Sequence, residues 1–192
     1  LHAYIRSWAT RFLDPERKNS RQPYTISPRN LTFILEYAHK YQIREYLEFA
    51  EQTLIHVGHS AVFDPRDGGV FSASADYSFK MPSYEKSIYE NANAAILFST
   101  GYKYLKKRIF KEAADRIMDF LQNHMNIGRK GYITFMTLNR SGSESTYYKY
   151  SIKELEEAFP RNYRKIAEAL GMNPLEDATK PQIISNTPKY WD

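Results

Sequence analysis

The sequence predicts an all-α fold carrying one small β-hairpin. Apolar residues recur every three or four positions through several stretches, and short breaks join those stretches in pairs. One β-prone segment, about 132 to 150, stands apart from them. At 192 residues and 42% hydrophobic content the chain has enough apolar mass for one substantial core and is read as one domain.

Taken in order, Ala3 to Leu13 reads as a short helix stopped by Asp14-Pro15. The next opens at Ser27, a good N-cap type, with Pro28 at the first helical position, and Leu31, Ile34, Leu35 and Ala38 share one face. After a break at Tyr41-Gln42, the residues Ile43, Leu47, Ala50, Leu54 and Val57 mark its antiparallel partner. Residues 58 to 82 have no helical period, are punctuated by Gly58, Pro65, Gly68, Gly69 and Pro82, and hold the aromatics Phe63, Phe71, Tyr77 and Phe79. A stretch of that length without period is a long loop of the functional kind, packed over one end of the helices.

Two longer helices follow, near 83 to 104 and 106 to 125, as a second hairpin. Tyr132 to Leu138 and Thr146 to Tyr150 flank the turn-like Asn139 to Ser143, which gives the β-hairpin. Ser151 and Glu154 form a capping box, a further helix covers Pro160 to Leu170, and Gly171 ends it. The domain is therefore drawn over 1–171, with 172–192 as an irregular C-terminal tail rich in proline.

Composition excludes several functions. With no cysteine there is no disulfide, thiolate nucleophile or zinc–thiolate site. No apolar run reaches the roughly 18 residues of a membrane span, so a soluble chain without a membrane role is expected. The net charge of +5 is a modest excess, and Lys103, Lys106, Lys107, Arg108 and Lys111 read as a solvated helix junction, not a nucleic-acid surface. His56 and His59 near Asp64 and Asp67 are accounted for by a helix C-terminal end, so no metal is called. No nucleophile elbow or phosphate-cradling glycine loop occurs, and no cofactor is expected.

The segment Asp76-Tyr-Ser-Phe-Lys-Met-Pro-Ser-Tyr-Glu-Lys-Ser-Ile-Tyr-Glu-Asn-Ala92 resembles the pattern D-x-x-W-x-V-P-H-F-E-K-M-L-Y-D-N-A. That pattern belongs to the helical-toroid domain of the thioredoxin-domain-containing family that includes spermatogenesis-associated protein 20, a toroid related to N-acylglucosamine 2-epimerases and six-hairpin glycosidases. Asp76, Pro82, Glu85, Lys86, Tyr89, Asn91 and Ala92 match it. Gly68-Gly69 upstream, and Gly131-Tyr132 with Tyr147 to Ser151 and Glu154 downstream, resemble its flanking motifs. The resemblance implies that the helical hairpins form part of an α/α toroid.

It also implies where function lies. Glu85 and Asp76 become the catalytic candidates, and Lys86, Tyr89, Asn91 and Phe79 the substrate-binding ones. The residues themselves leave other readings open: Glu85 favours the positive end of a helix, Asp76 suits an Asx-turn, and Tyr89 and Asn91 suit a hydrogen-bonded core. Departures point away from catalysis. Ser83 stands where the family has histidine, Phe79 replaces its tryptophan, Val70 to Ser74 replaces F-H-R-Y-S, and Thr137 to Arg140 replaces an acidic D-A-D-S. Epimerisation or glycoside hydrolysis needs proton-exchanging groups on either side of the reacting atom, and these are the types lost. The expected function is a carbohydrate-processing-like toroid domain, catalytically altered, that binds a saccharide or serves a structural and interaction role. The alternative is an active epimerase, isomerase or glycosidase completed by a further C-terminal half. The opening at Leu1 fits a segment of a longer chain, and two hairpins plus a C-terminal pair leave an open apolar face. That face predicts self-association or docking on the remainder of a parent chain.

Overall fold

The computed structural model describes residues 2–13, 24–137 and 147–185. Helix α1 spans His2–Leu13, α2 Pro28–Tyr41, α3 Arg44–His59, α4 Ile88–Leu105 and α5 Arg108–Phe120, and the last runs on through a π-helical turn, Leu121–Met125. Two short helices follow, α6 over Ile152–Ala158 and α7 over Tyr163–Ala169. The fold is mostly helical, as the periodicity predicts, and α2/α3 and α4/α5 are its two hairpins. Among the described residues no helix is long and apolar enough to cross a membrane.

Each long helix is held by the face its sequence makes apolar. Leu31, Ile34, Leu35 and Ala38 of α2 are buried, as are Phe49, Ala50, Leu54 and Val57 of α3. Helix α4 is central: Ala94, Ala95, Leu97, Phe98 and Gly101 bury two of its sides, and Gly101 lets Leu54 and Phe110 approach closely. On α5 the stripe Phe110, Ala113, Ala114, Ile117 and Phe120 faces α4. Helix α1 docks through Ile5, while the Tyr46 hydroxyl donates to the His2 carbonyl.

Local chemistry moves several predicted boundaries. Ser27 precedes α2, but its backbone is left-handed at φ 53° and its side chain caps nothing. Helix α4 starts at Ile88 and not near 83, because Glu85–Ser87 is drawn out as strand β1. Its cap is Ser87, whose hydroxyl accepts from the Glu90 N–H. The capping box of Ser151 and Glu154 is formed.

The strand pairing departs from a single hairpin across 132–150. Strand β2 (Phe135–Thr137) pairs antiparallel with β1, Glu85 opposite Thr137 and Ser87 opposite Phe135. Strand β3 (Lys149–Tyr150) pairs instead with β4 (Gln182–Ile183). Each β-prone stretch contains a short strand, but each strand finds its partner far along the chain, which alternation in a sequence cannot specify. The intervening turn Asn139 to Ser143 lies outside the described residues. Of the expected tail, residues 172–185 pack against the domain: Met172 and Ile184 are buried, and the Ile184 N–H donates to the Tyr148 carbonyl at 3.0 Å.

The long loop between α3 and β1 packs over the helix ends. Val62 and Phe63 pair with Val70 and Phe71 around a turn in which Gly68 and Gly69 have φ near 77° and 75°. A Cβ on Gly69 would stand 2.6 Å from the Phe120 ring and 2.7 Å from the Asn91 carbonyl oxygen, so only glycine fits. From Ser72 to Glu85 the chain doubles back as an irregular hairpin, and Tyr24 pairs with Ser74 on its edge.

Candidate functional site

The segment from Glu85 to Asn93 feeds two different places. Pleating turns Lys86 inward from β1 while Glu85 faces solvent. The first turns of α4 then send Asn91 inward and leave Tyr89 outside.

Inward lies an ion pair. Lys86 Nζ is 2.5 Å from Asp64 Oδ2, with the carboxylate fully buried and the lysine nearly so. Tyr148 donates its hydroxyl to the same oxygen at 2.7 Å, and the Arg66 and Asp67 N–H groups donate to Oδ1 at 2.8 and 3.1 Å. Lys86 also donates to the Gly68 carbonyl at 2.7 Å and lies 4.0 Å from the Phe120 ring centroid. Burial pushes the lysine's pKa below its usual value against the opposing pull of Asp64, and burial beside Asp64 pushes the Tyr148 phenol up. The centre joins three parts of the chain: the loop, β1 and the C-terminal segment. Asn91 works beside it, its side-chain oxygen accepting from the Val70 N–H at 2.7 Å and its amide donating to the Val70 and Ser87 carbonyls at 3.0 and 2.9 Å.

Outward lies a cavity of about 220 Å³ where α2 and α4 begin. Thr25 to Asn30 form one side, Val70, Phe71 and Ser72 the back, and Tyr89, Glu90 and Asn93 the other side. Arg29 donates to the Tyr89 hydroxyl at 3.1 Å across its rim. The Glu90 carboxylate accepts from the Ser87 hydroxyl, and Asn93 donates to the Tyr89 carbonyl at 2.7 Å. Phe71 links cavity and ion pair, since its ring packs edge-on to Tyr84 and Tyr148, which stack on each other at 5.2 Å. The Ser72, Ser83 and Tyr84 hydroxyl oxygens are buried and have no hydrogen-bond partner among the described residues. Ser72 belongs to the cavity's back wall.

Of the six residues singled out from the sequence, Tyr89 lines this cavity, and Asn91 and Lys86 brace its back wall. Phe79 is buried, at φ 56°, with its ring 6.0 Å from that of His56. Asp76 sits at the tip of the irregular hairpin and accepts from the hydroxyls of Ser74 and Ser78 and from the N–H groups of Ser78, Lys80 and Met81. Burial raises its carboxyl pKa, but these hydrogen bonds outweigh that and hold it below the usual carboxylate range. Glu85 stands at the hairpin's other end, where its carbonyl accepts from the Ser72 N–H at 2.7 Å. Asp76 and Glu85 thus stand at opposite ends of this irregular hairpin, and among the described residues no hydrogen bond or shared partner joins the two carboxylates, as an acid/base pair flanking one substrate atom would need.

Arg29, Glu90, Asp64 and Tyr148 were not among the candidates. Asp64 had a readable signal, because Asp-Pro-Arg-Asp-Gly-Gly is an Asx-turn sequence whose carboxylate takes following N–H groups. Its pairing with Lys86, 22 positions on, had none.

Comparison with known proteins agrees with this architecture. The sequence matches no family model. Over 148 residues it is 19% identical to spermatogenesis-associated protein 20 of Homo sapiens, a stretch that is 72% of this chain and 19% of that protein. The structure is similar to that of a sugar epimerase from a ruminal bacterium, with a TM-score of 0.57 at 16% identity, over 87% of this chain and 50% of the epimerase chain. The chain therefore has an epimerase-like toroid fold and spans half the length of the solved relative.

Proposed function

We propose that this chain is a saccharide-binding, catalytically altered segment of a carbohydrate-processing-like toroid, with its site in the cavity between the starts of α2 and α4. The observation that carries the reading is the rim itself. Arg29, Tyr89 and Asn93 supply hydrogen-bonding groups opposite an apolar back of Val70 and Phe71, and a sugar ring presents the complementary pair of a hydroxyl edge and a C–H face. Among the described residues that line the cavity, Glu90 is the one carboxylate and none is a histidine. Epimerisation and glycoside hydrolysis both use two proton-exchanging groups, so the lining supports binding over turnover. Tyr89 contacts ligand in this reading, while Lys86 and Asn91 set the back wall.

Titration with N-acetylhexosamines and simple hexoses, followed by tyrosine-ring NMR shifts, tests this. Saturable shifts at about millimolar sugar are expected, and Tyr89→Ala or Arg29→Ala should weaken them about tenfold, or roughly 1.4 kcal/mol. Unchanged spectra at tens of millimolar sugar would refute the site. A second reading, an active epimerase, isomerase or glycosidase completed by further chain, draws on the half-length overlap with a solved epimerase. It requires sugar turnover, or deuterium uptake at a sugar carbon from heavy water, by a longer chain containing this one. The proposed reading expects neither from the residues present here.

A further inference from the structure

The cavity between the starts of α2 and α4 is electrically lopsided. On its α4 side stands the Glu90 carboxylate, and the Ser87 hydroxyl ties it down by donating to it while accepting from the Glu90 N–H. On the α2 side no acidic residue answers the positive helix end: the first turn holds none, and the Ser27 side chain caps no N–H group. Pro28 has no N–H to offer, and those of Asn30 and Leu31 return to the Ser27 carbonyl at 3.1 and 3.3 Å. The Arg29 N–H has no hydrogen-bond partner among the described residues. Its guanidinium meets the Tyr89 hydroxyl and, among the described residues, no carboxylate. Ser72 in the back wall adds a buried hydroxyl oxygen that no group of the described residues satisfies.

We propose that the saccharide bound here carries a negative charge, a carboxylate or a phosphate, seated at the start of α2 against Arg29. The inference rests on the saccharide reading above and names the class of sugar that the site takes. The Arg29 guanidinium offers a planar fork of donors matched to the oxygens of either group, and its backbone N–H stands at the positive end of a 14-residue helix. The Ser72 hydroxyl supplies a donor from behind. A neutral hexose leaves the charge on that side unanswered. Glu90 does the opposite work, because a carboxylate accepts from sugar hydroxyls and repels a second anion. The two sides together fix one orientation: the acidic group towards α2, the hydroxyl edge towards Glu90 and Asn93, and the C–H face on Val70 and Phe71.

Titration of the whole chain with glucose, glucuronate and glucose 6-phosphate, read from the tyrosine rings and the Arg29 Nε–H resonance, tests this. At least one of the two anionic sugars should bind about tenfold tighter than glucose at low salt, the size of one exposed charge contact together with one helix end. That advantage should shrink as salt rises to about 0.5 M, while glucose binding holds. Arg29→Gln should bring the ratio of the two affinities close to one, and Arg29→Lys should keep most of the preference. Ser27→Asp sets a fixed carboxylate at the helix start, a residue type that tolerates the left-handed backbone there, and should turn the preference against the anion. Inorganic phosphate alone should bind at least about tenfold more weakly than glucose 6-phosphate. Whichever anionic sugar gains more identifies the group held. Equal affinity for all three sugars overturns the proposal and leaves the saccharide site standing, whereas binding of none removes both. Inorganic phosphate that binds as tightly as glucose 6-phosphate also overturns it, since the site would then hold an anion without a sugar.

Discussion

The buried Asp64–Lys86–Tyr148 cluster and the open Arg29–Tyr89 rim are built from one stretch of sequence and behave in opposite ways. In the cluster every oxygen of the carboxylate is used, and the groups come from three distant parts of the chain. At the rim two exposed side chains meet in a single hydrogen bond, leaving donors and acceptors turned to solvent. Matched motif residues are therefore of two kinds. Lys86 and Asn91 are held in place by what they support, and Tyr89 is free to meet something else.

Lys86→Met should give the largest effect, since it strands a fully buried carboxylate: about 3–5 kcal/mol lost in denaturant unfolding. A loss below about 1 kcal/mol would erase the distinction between the two regions. Tyr148→Phe should cost about 1.5–3 kcal/mol by the same measurement, because it removes one charged hydrogen bond and leaves the ion pair. It should also loosen β3, which protease nicking near 147 would report.

Asp76 sharpens the comparison from a third position. Its folded pKa is depressed, so its contribution is complete above the unfolded value of 3.8 and is lost as pH falls through the lower folded value. Acid titration should show stability falling below about pH 4, and Asp76→Asn should flatten that limb. Arg29→Ala should be the mildest, within about 0.5 kcal/mol of wild type in stability, while weakening saccharide shifts. An Arg29 variant that unfolds the chain would make the rim structural like the cluster.

The helical pattern was legible because it is local: the α2 face Leu31, Ile34, Leu35 and Ala38 is buried as spaced. The strands were legible as strands but not as pairs. Their partners, β1 for β2 and β4 for β3, depend on how the loop and the C-terminal segment pack. Glu85 illustrates the cost. It was read at a helix start, whereas pairing with Thr137 makes it a strand residue and moves the positive helix end to Ser87 and Glu90. Of the cavity, Tyr89 was legible through its motif. Arg29 was not, since an exposed arginine in a first helical turn carries no mark until a fold brings Tyr89 against it.

Asn91 has a consequence in time as well as in space. Its amide reads both the N–H and the C=O of Val70, as a neighbouring strand would, from the side chain of a helix. Val70 lies in a loop, yet its N–H reaches solvent only if the start of α4 separates from it. Its hydrogen exchange should therefore run at the slow pace of the helical core, so that a loop amide reports the opening of the whole fold.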